Sequence, residues 1–179
     1  MDVDGVLADF LTPSFTILNA ITGLKHKPED LREWDLFSLY PRTAEDAFYE
    51  ECNSPGLCAG LPIIPGAQAF VASLLQFADV YVVTSPMNHN RTWAWEREQW
   101  LQKHFDIPAK KVVHTSAKYL CLGDVLIDDK PSNIEQWERA HGPKGIGLLW
   151  DAPYNQGVEV GRRMLTPKHA LAFLKNLRT

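Results

Sequence analysis

The sequence predicts an α/β fold, a doubly wound parallel sheet with a small helical cap inserted after the first strand. Continuous apolar runs, typical of parallel strands covered on both faces, occupy residues 79–86, 111–116, 124–129 and 145–150. Amphipathic segments of helical length separate these runs. Residues 11–60 differ, because they are rich in aromatic and turn-forming residues and contain no convincing strand.

Three of the four predicted helices have recognisable start or stop signals. Proline near the start and glycine just past the end are the usual punctuation of a helix, as at Pro131 and Gly142. Thr166 is a suitable N-cap, with Pro167 as the first helical residue. The predicted helices span residues 65–78, 92–105, 131–142 and 166–177.

The chain of 179 residues is long enough for one domain with a subdomain. Residues 1–10 and 61–179 are predicted to form the α/β core, and residues 11–60 the helical cap. Only Met1 precedes the first aspartate. The first strand is therefore expected either to be abbreviated or to continue upstream of the printed sequence.

Composition excludes several classes of partner. Eighteen basic and twenty-two acidic residues give a net charge of −4, which argues against binding a nucleic-acid polymer. No apolar run approaches the roughly 20 residues of a membrane span, and the N-terminus lacks a signal peptide. The three cysteines lack zinc-ligand spacing, so reduced thiols and a cytoplasmic location are expected. Nothing in the sequence indicates the oligomeric state.

Polar residues lie at the start of the chain and at the carboxyl ends of two predicted strands. In doubly wound sheets, ligands bind beyond these ends, so the three groups are expected to meet at one edge. Carboxylates gathered there would repel one another without a cation, and an all-oxygen site suits Mg²⁺. The groups are Asp2 with Asp4, Thr84 with Ser85, and Asp128 with Asp129.

These residue types fit the handling of a phosphoryl group. Hydroxyl and backbone donors at Thr84 and Ser85, with the positive charge of Lys118, could hold a phosphate. One N-terminal aspartate could attack phosphorus, and the other could protonate the leaving oxygen and later deprotonate water. Phosphate-monoester hydrolysis is extremely slow without catalysis, so metal assistance and covalent catalysis together are in proportion to the task.

Each group also has a simpler interpretation. Asp2 and Asp4 could be a solvated acidic terminus, and Asp128 and Asp129 could decorate the start of a helix. Thr84 and Ser85 could mark only the exit from a strand, and Lys118 could be a surface lysine. The joint occurrence of all four favours the functional interpretation.

The segments "DVDGVLADF", "VVTS", Lys118 and "LIDD", in that order, resemble the four motifs of haloacid dehalogenase-like phosphatases. More narrowly, the chain resembles the 5′(3′)-deoxyribonucleotidases, through "YEECNSPGLCAGLPIIPGA", the "TSP" region and the spacing from Lys118 to "DVLIDD". The resemblance covers most of residues 2–130. It implies a Rossmann-like sheet of the haloacid dehalogenase type.

The resemblance also implies a role for each matching position. Asp2 would be the nucleophile and a metal ligand, and Asp4 the general acid and base that offers its backbone carbonyl to Mg²⁺. Asp129 would bind the metal directly, with Asp128 beside it in an outer position. The phosphoryl group would be held by Thr84, Ser85 and Lys118, and the base and sugar by Phe10 with the cap residues Trp34 and Tyr49.

The implied activity is Mg²⁺-dependent hydrolysis of nucleoside monophosphates through a phospho-aspartate. Asn88 stands where the mammalian relatives carry lysine. This difference leaves open a phosphatase of the same superfamily that acts on a non-nucleotide phosphate ester. A third hypothesis is a catalytically inactive protein that binds or senses nucleotides.

Overall fold

The strands form two parallel groups in the computed structural model, which describes residues 1–87 and 89–177. Within this part of the chain, β1 pairs with β2, and β3, β4 and β5 pair in that order. Asn88 lies outside the described residues, as do residues 178 and 179 of the predicted core. The strands are β1 (Val82–Thr84), β2 (Val112–His114), β3 (Val125–Asp128), β4 (Ile146–Trp150) and β5 (Arg162–Met164).

The first residues of the chain bridge the two groups of strands. The Asp2 amide donates to the carbonyl of Ile127 on β3 at 2.8 Å. On the other side, the Val83 amide donates to the Met1 carbonyl at 2.9 Å, and the Met1 amino group donates to the carbonyl of Tyr81 at 2.7 Å. Residues 1–2 therefore lie between the two groups of strands, where the first strand was expected, and this position sets Asp2 at the carboxyl edge of the sheet.

Helices surround the sheet in the predicted order. Pro131 and Pro167 each begin a helix, and the Thr166 hydroxyl caps the last one by accepting from the His169 amide. The helix expected over residues 65–78 is shorter than predicted. The helices are α1 (Leu11–Thr22), α2 (Glu45–Cys52), α3 (Ala67–Leu74), α4 (Trp93–Phe105), α5 (Pro131–His141) and α6 (Pro167–Asn176).

The predicted fold class is confirmed: parallel strands alternate with helices along the chain. Strand β5 was not predicted. It is a short edge strand with arginines at positions 162 and 163, and only Met164 is fully buried. It therefore lacks the continuous apolar run by which the other strands were recognised.

Two of the three apolar clusters among the described residues distinguish the sheet region from most of the segment over residues 11–60. The larger cluster packs around the sheet and includes Val82, Ile127 and Leu148. The smaller cluster is built mainly from α1, α2 and the turns between them, and it is completed by Ala152 and Tyr154 from the segment after β4. The helical segment thus has a core of its own that rests on residues next to the carboxyl edge.

Among the described residues, no helix is both long and apolar enough to cross a lipid bilayer.

Candidate active site

Three carboxylates converge at the carboxyl edge of the sheet. Asp2, Asp128 and Asp129 each present an oxygen, and these oxygens all lie within 4.8 Å of one another. All three residues are buried. Asp128 is the last residue of β3 and Asp129 follows it, and Asp2 is brought there by the hydrogen bond between its amide and Ile127. The predicted convergence of the strand ends therefore holds for these three positions.

Lys118 neutralises part of this charge. Its Nζ lies 2.6 Å from an oxygen of Asp2 and 2.7 Å from an oxygen of Asp128, and the residue is only 2% exposed. Burial acts to lower the pKa of Lys118, but the two carboxylates and their hydrogen bonds raise it above its ordinary value. The lysine is thus a fixed cation beside the proposed nucleophile.

Asp128 is fully buried and accepts hydrogen bonds at both of its carboxylate oxygens. Besides Lys118, it accepts from the Lys130 amide at 2.9 Å and from the Asn133 side-chain amide at 3.1 and 3.0 Å. These bonds fix the turn that leads from β3 into α5. The geometry fits the outer position expected for Asp128 in the metal site, which stays a prediction.

One carboxylate oxygen of Asp129 is hydrogen-bonded and the other is available. The Tyr154 hydroxyl donates to its Oδ2, and the Asn155 side-chain amide donates to its backbone carbonyl at 2.8 Å. Within the described part of the chain, no donor reaches Oδ1 of Asp129. One carboxylate oxygen is therefore positioned and still available to a ligand.

The charges at this edge fit a bound cation. Burial, with the neighbouring Asp128 carboxylate, raises the pKa of Asp2 and raises the pKa of Asp129 well above its ordinary range. One lysine does not compensate three buried carboxylates. A hard divalent cation with oxygen ligands would, so the donor set fits Mg²⁺.

Asp4 lies apart from this group of carboxylates. Its two oxygens accept from Nη2 of Arg97 at 2.7 and 2.8 Å, and its side chain is 27% exposed. Burial raises the pKa of Asp4, and the guanidinium opposes that shift. The Asp4 carboxylate is thus directed to helix α4 and not to the group formed by Asp2, Asp128 and Asp129, and the expected role of its backbone carbonyl stays a prediction.

Ser85 and Thr84 differ in their access to the cavity. Ser85 lines it, together with Ser116 from the turn after β2. Thr84 is buried at the end of β1, does not line the cavity, and its hydroxyl has no hydrogen-bond partner among the described residues. The structure thus brings Ser85 to the cavity with Lys118, but it does not bring the Thr84 side chain there.

An aromatic-walled cavity of about 840 Å³ opens above these groups. Phe10, Trp34 and Tyr49, the three predicted pocket residues, all line it, with Phe37 and Phe48 beside them. The ammonium of Lys130 lies 3.4 Å from the centre of the Trp34 ring. That contact joins the turn after β3 to the helical segment across the cavity.

Several residues at the site were not predicted. Arg97 carried a detectable signal, because it lies four residues after Trp93 and three before Trp100, on the buried stripe of α4 where a charge is unexpected. Asn133 belongs to the segment after the second carboxylate pair, but an asparagine in a first helical turn is common. Tyr154 carried no signal, since only the tertiary structure brings it to Asp129.

Gly5 provides the space in which Asp129 sits. It has φ +76°, and a Cβ at this position would lie 2.2 Å from Oδ2 of Asp129 and 2.8 Å from the Tyr154 hydroxyl. Gly5→Ala is therefore expected to displace the Asp129 carboxylate and to weaken metal binding at least about 10-fold, the effect typical of disturbed ligand positioning. Titration of the protein with Mg²⁺ by calorimetry measures this directly.

Gly23→Ala is the matched control. Gly23 has φ +73° at the end of α1, so alanine meets the same backbone penalty of about 1 kcal/mol, but no atom lies within 4 Å of the added methyl group. This variant should lose a little stability and keep its metal affinity. Equal metal affinities for the two variants would show that the contact with Asp129 is unimportant.

Comparison with known proteins identifies relatives over nearly the whole chain. Residues 1–170 match the family described as 5′ nucleotidase, deoxy (pyrimidine), cytosolic type C protein. The chain is 31% identical over 157 residues to the 5′(3′)-deoxyribonucleotidase of Bacillus subtilis (strain 168), covering 87% of this chain and 86% of that protein. It has the same identity and coverage with the 5′(3′)-deoxyribonucleotidase of Bacillus phage SPbeta.

A solved structure supports the fold independently. A haloacid dehalogenase-like hydrolase from Burkholderia xenovorans LB400 superposes with a TM-score of 0.62 at 13% identity, covering 99% of this chain and 96% of that one. The haloacid dehalogenase type of fold expected from the sequence is therefore confirmed. Taken with the match over residues 1–170, the chain belongs to the 5′ nucleotidase, deoxy (pyrimidine), cytosolic type C family.

Proposed function

We propose that this protein is a Mg²⁺-dependent phosphomonoesterase, a 5′(3′)-deoxyribonucleotidase that hydrolyses nucleoside monophosphates through a phospho-aspartate on Asp2. The observation that carries the proposal is the convergence of Asp2, Lys118 and Asp129 at the floor of one cavity whose upper walls are aromatic. The names of the B. subtilis and phage relatives point to the same activity.

The two ends of the cavity suit the two ends of a nucleotide. The floor offers Lys118 and Ser85 to a phosphate dianion. The walls offer the rings of Phe10, Trp34 and Tyr49 to a base and a sugar, which present flat apolar faces. A cavity of about 840 Å³ accommodates one small ligand rather than a polymer.

Asp2 and Asp129 would hold the metal, with the backbone carbonyl of Asp4, and Asp128 would orient the surrounding groups. When bound, Mg²⁺ supplies charge neutralisation for the phosphoryl oxygens and keeps carboxylates ionised. Lys118 already holds one oxygen of Asp2 and can share the charge of the incoming phosphate. These residues therefore orient the phosphorus atom in front of the nucleophile.

The reaction then proceeds in two displacements. An Asp2 oxygen forms a bond to phosphorus as the bond to the nucleoside oxygen breaks, and Asp4 gives that oxygen a proton. Asp4 next takes a proton from water, whose oxygen attacks phosphorus and releases inorganic phosphate and free Asp2. Asp4 lines the cavity and its side chain is 27% exposed, so the carboxyl group is accessible from the cavity while it stays bound to Arg97.

A substrate panel tests this proposal. The protein is incubated with 5′- and 3′-deoxyribonucleoside monophosphates, ribonucleotides, sugar phosphates and phosphoglycolate, and released phosphate is measured with Mg²⁺ or with EDTA. We expect the highest kcat/KM for deoxyribonucleoside monophosphates. EDTA should lower the rate by at least about 100-fold, because the metal contributes several kcal/mol to charge stabilisation.

Two other outcomes of the substrate panel would support the two alternative hypotheses instead. A higher kcat/KM for sugar phosphates or phosphoglycolate would overturn the nucleotide assignment and leave a phosphatase of another specificity. Binding of nucleotides without release of phosphate would overturn the enzymatic assignment altogether.

A further inference from the structure

Arg97 is a fully buried cation with one anionic partner among the described residues. It lies on α4 with no exposed surface, and its Nη2 contacts both oxygens of Asp4, 93 positions earlier in the chain. Its Nε and Nη1 are also buried, and neither has a hydrogen-bond partner in the described part of the chain. A buried guanidinium with two unpaired nitrogens is costly, so fold stability alone does not account for it.

Two indole rings fix the position of the guanidinium. Its central carbon lies 5.2 Å from the Trp93 ring and 5.8 Å from the Trp100 ring, and both tryptophans are on the same face of α4. Cation–π attraction to these rings replaces part of the hydration that Arg97 has lost. The guanidinium is therefore held in place independently of Asp4.

The neighbouring acid cannot substitute for Asp4. Glu96 is buried beside Arg97 in sequence, but its two oxygens accept from the backbone amides of Gly56 at 2.7 Å and Ala59 at 3.1 Å. Glu96 thus binds the loop at residues 56–59, which leads from the helical segment back to the α/β core. Rotation of Asp4 away from Arg97 would leave the guanidinium with no ionic partner.

We infer that Arg97 is a positioning residue for the proposed general acid, and that it holds the Asp4 carboxylate in one orientation at the edge of the cavity. A single nitrogen at 2.7 and 2.8 Å from the two oxygens lies close to the axis of the carboxylate, so it fixes the direction in which the side chain extends. This inference rests on the proposed function, since it concerns proton transfer to the leaving oxygen.

A double-mutant cycle on kcat/KM tests the inference. Arg97→Met should lower kcat/KM for a deoxyribonucleoside monophosphate about 10- to 100-fold, within the range that general acid catalysis contributes. With nitrophenyl phosphate, whose leaving group needs little protonation, the loss should be less than about threefold. In the Asp4→Asn background, Arg97→Met should change kcat/KM for the nucleotide less than about threefold, because the carboxyl group that Arg97 positions is already absent.

Further variants separate positioning from folding. Arg97→Lys keeps the charge and most of the volume, so it should fold even where Arg97→Met does not. Its kcat/KM for the nucleotide should still be at least about threefold lower than that of the parent. In the Asp4→Asn background, Arg97→Lys should cause no such decrease. Arg139→Met, which removes an arginine from an exposed pair with Glu135 on α5, is the control and should keep kcat/KM within about twofold.

Two results would overturn the inference and leave Arg97 a structural residue. One is an equal decrease of kcat/KM for both esters. The other is a decrease in the Asp4→Asn background as large as that in the parent. An unmutated protein that hydrolyses no ester would instead refute the proposed function. The two failures are therefore distinguishable.

Discussion

Asp2→Asn is expected to lower the hydrolysis of every phosphate ester at least about 1,000-fold and to leave the protein folded. The amide has no anionic oxygen to attack phosphorus, so the first displacement cannot occur. The fold should tolerate the change, because Lys118 keeps its contact with Asp128 at 2.7 Å. Asparagine also removes one of three neighbouring buried carboxylates, which relieves repulsion. Phosphate release and thermal unfolding, measured on the same sample, test both parts.

The matched control is Asp79→Asn, because Asp79 is an exposed aspartate that pairs with Lys111 away from the cavity. This variant should retain the parent kcat. Undiminished turnover by Asp2→Asn would exclude Asp2 as the nucleophile. Loss of turnover with collapse of the fold would show that the aspartate is needed for structure, in contrast to the expected result.

Much of the fold follows from local patterns in the sequence. The strands β1 to β4 were predicted because each is a continuous apolar run, and α5 and α6 because proline, threonine and glycine mark their ends. Strand β5 was missed, since Arg162 and Arg163 make it polar and it pairs only with β4. Strand β2 was predicted although it is also an edge strand with an exposed Val113, so local pattern detects an apolar run and not burial itself.

The part of the candidate site at the carboxyl ends of the strands was predictable, because ligands of doubly wound sheets bind beyond these ends. That rule brings together Asp2, Asp128 and Asp129. It gave no indication that Thr84 would be buried and would not line the cavity. Side-chain direction at the last position of a strand depends on the register with its neighbours, which the sequence does not specify.

Long-range pairings were the least predictable part. The ion pair of Asp4 with Arg97 joins residues 93 positions apart, and the contact of Asp129 with Tyr154 joins residues 25 apart. Arg97 stands out as a charge on the buried stripe of α4, but no local motif points to Asp4 as its partner, and Tyr154 has no local signal at all. They are selected by the packing of α4 and of the segment after β4 against the carboxyl edge, so they emerge only when the whole fold is known.

Lys118→Met is expected to destabilise the metal-free protein by about 3 kcal/mol, because it leaves Asp2 and Asp128 buried without their shared cation. Activity should also fall at least about 100-fold, since the phosphate loses a fixed positive charge. Methionine has nearly the volume of lysine, so the loss arises from charge and not from a cavity. Urea unfolding at neutral pH measures the change in free energy.

Lys111→Met provides the comparison, because the Lys111 ammonium lies 2.5 Å from Asp79 in an ion pair that is largely exposed. The same substitution there should shift the urea midpoint much less than Lys118→Met does, since water screens the pair. Adding Mg²⁺ should restore part of the stability of Lys118→Met, because the cation replaces the missing positive charge beside Asp2. Both proteins are compared without metal. If Lys118→Met unfolds at the same urea concentration as the parent, the buried carboxylates do not need Lys118 for their burial. The electrostatic basis of the proposed site would then be wrong.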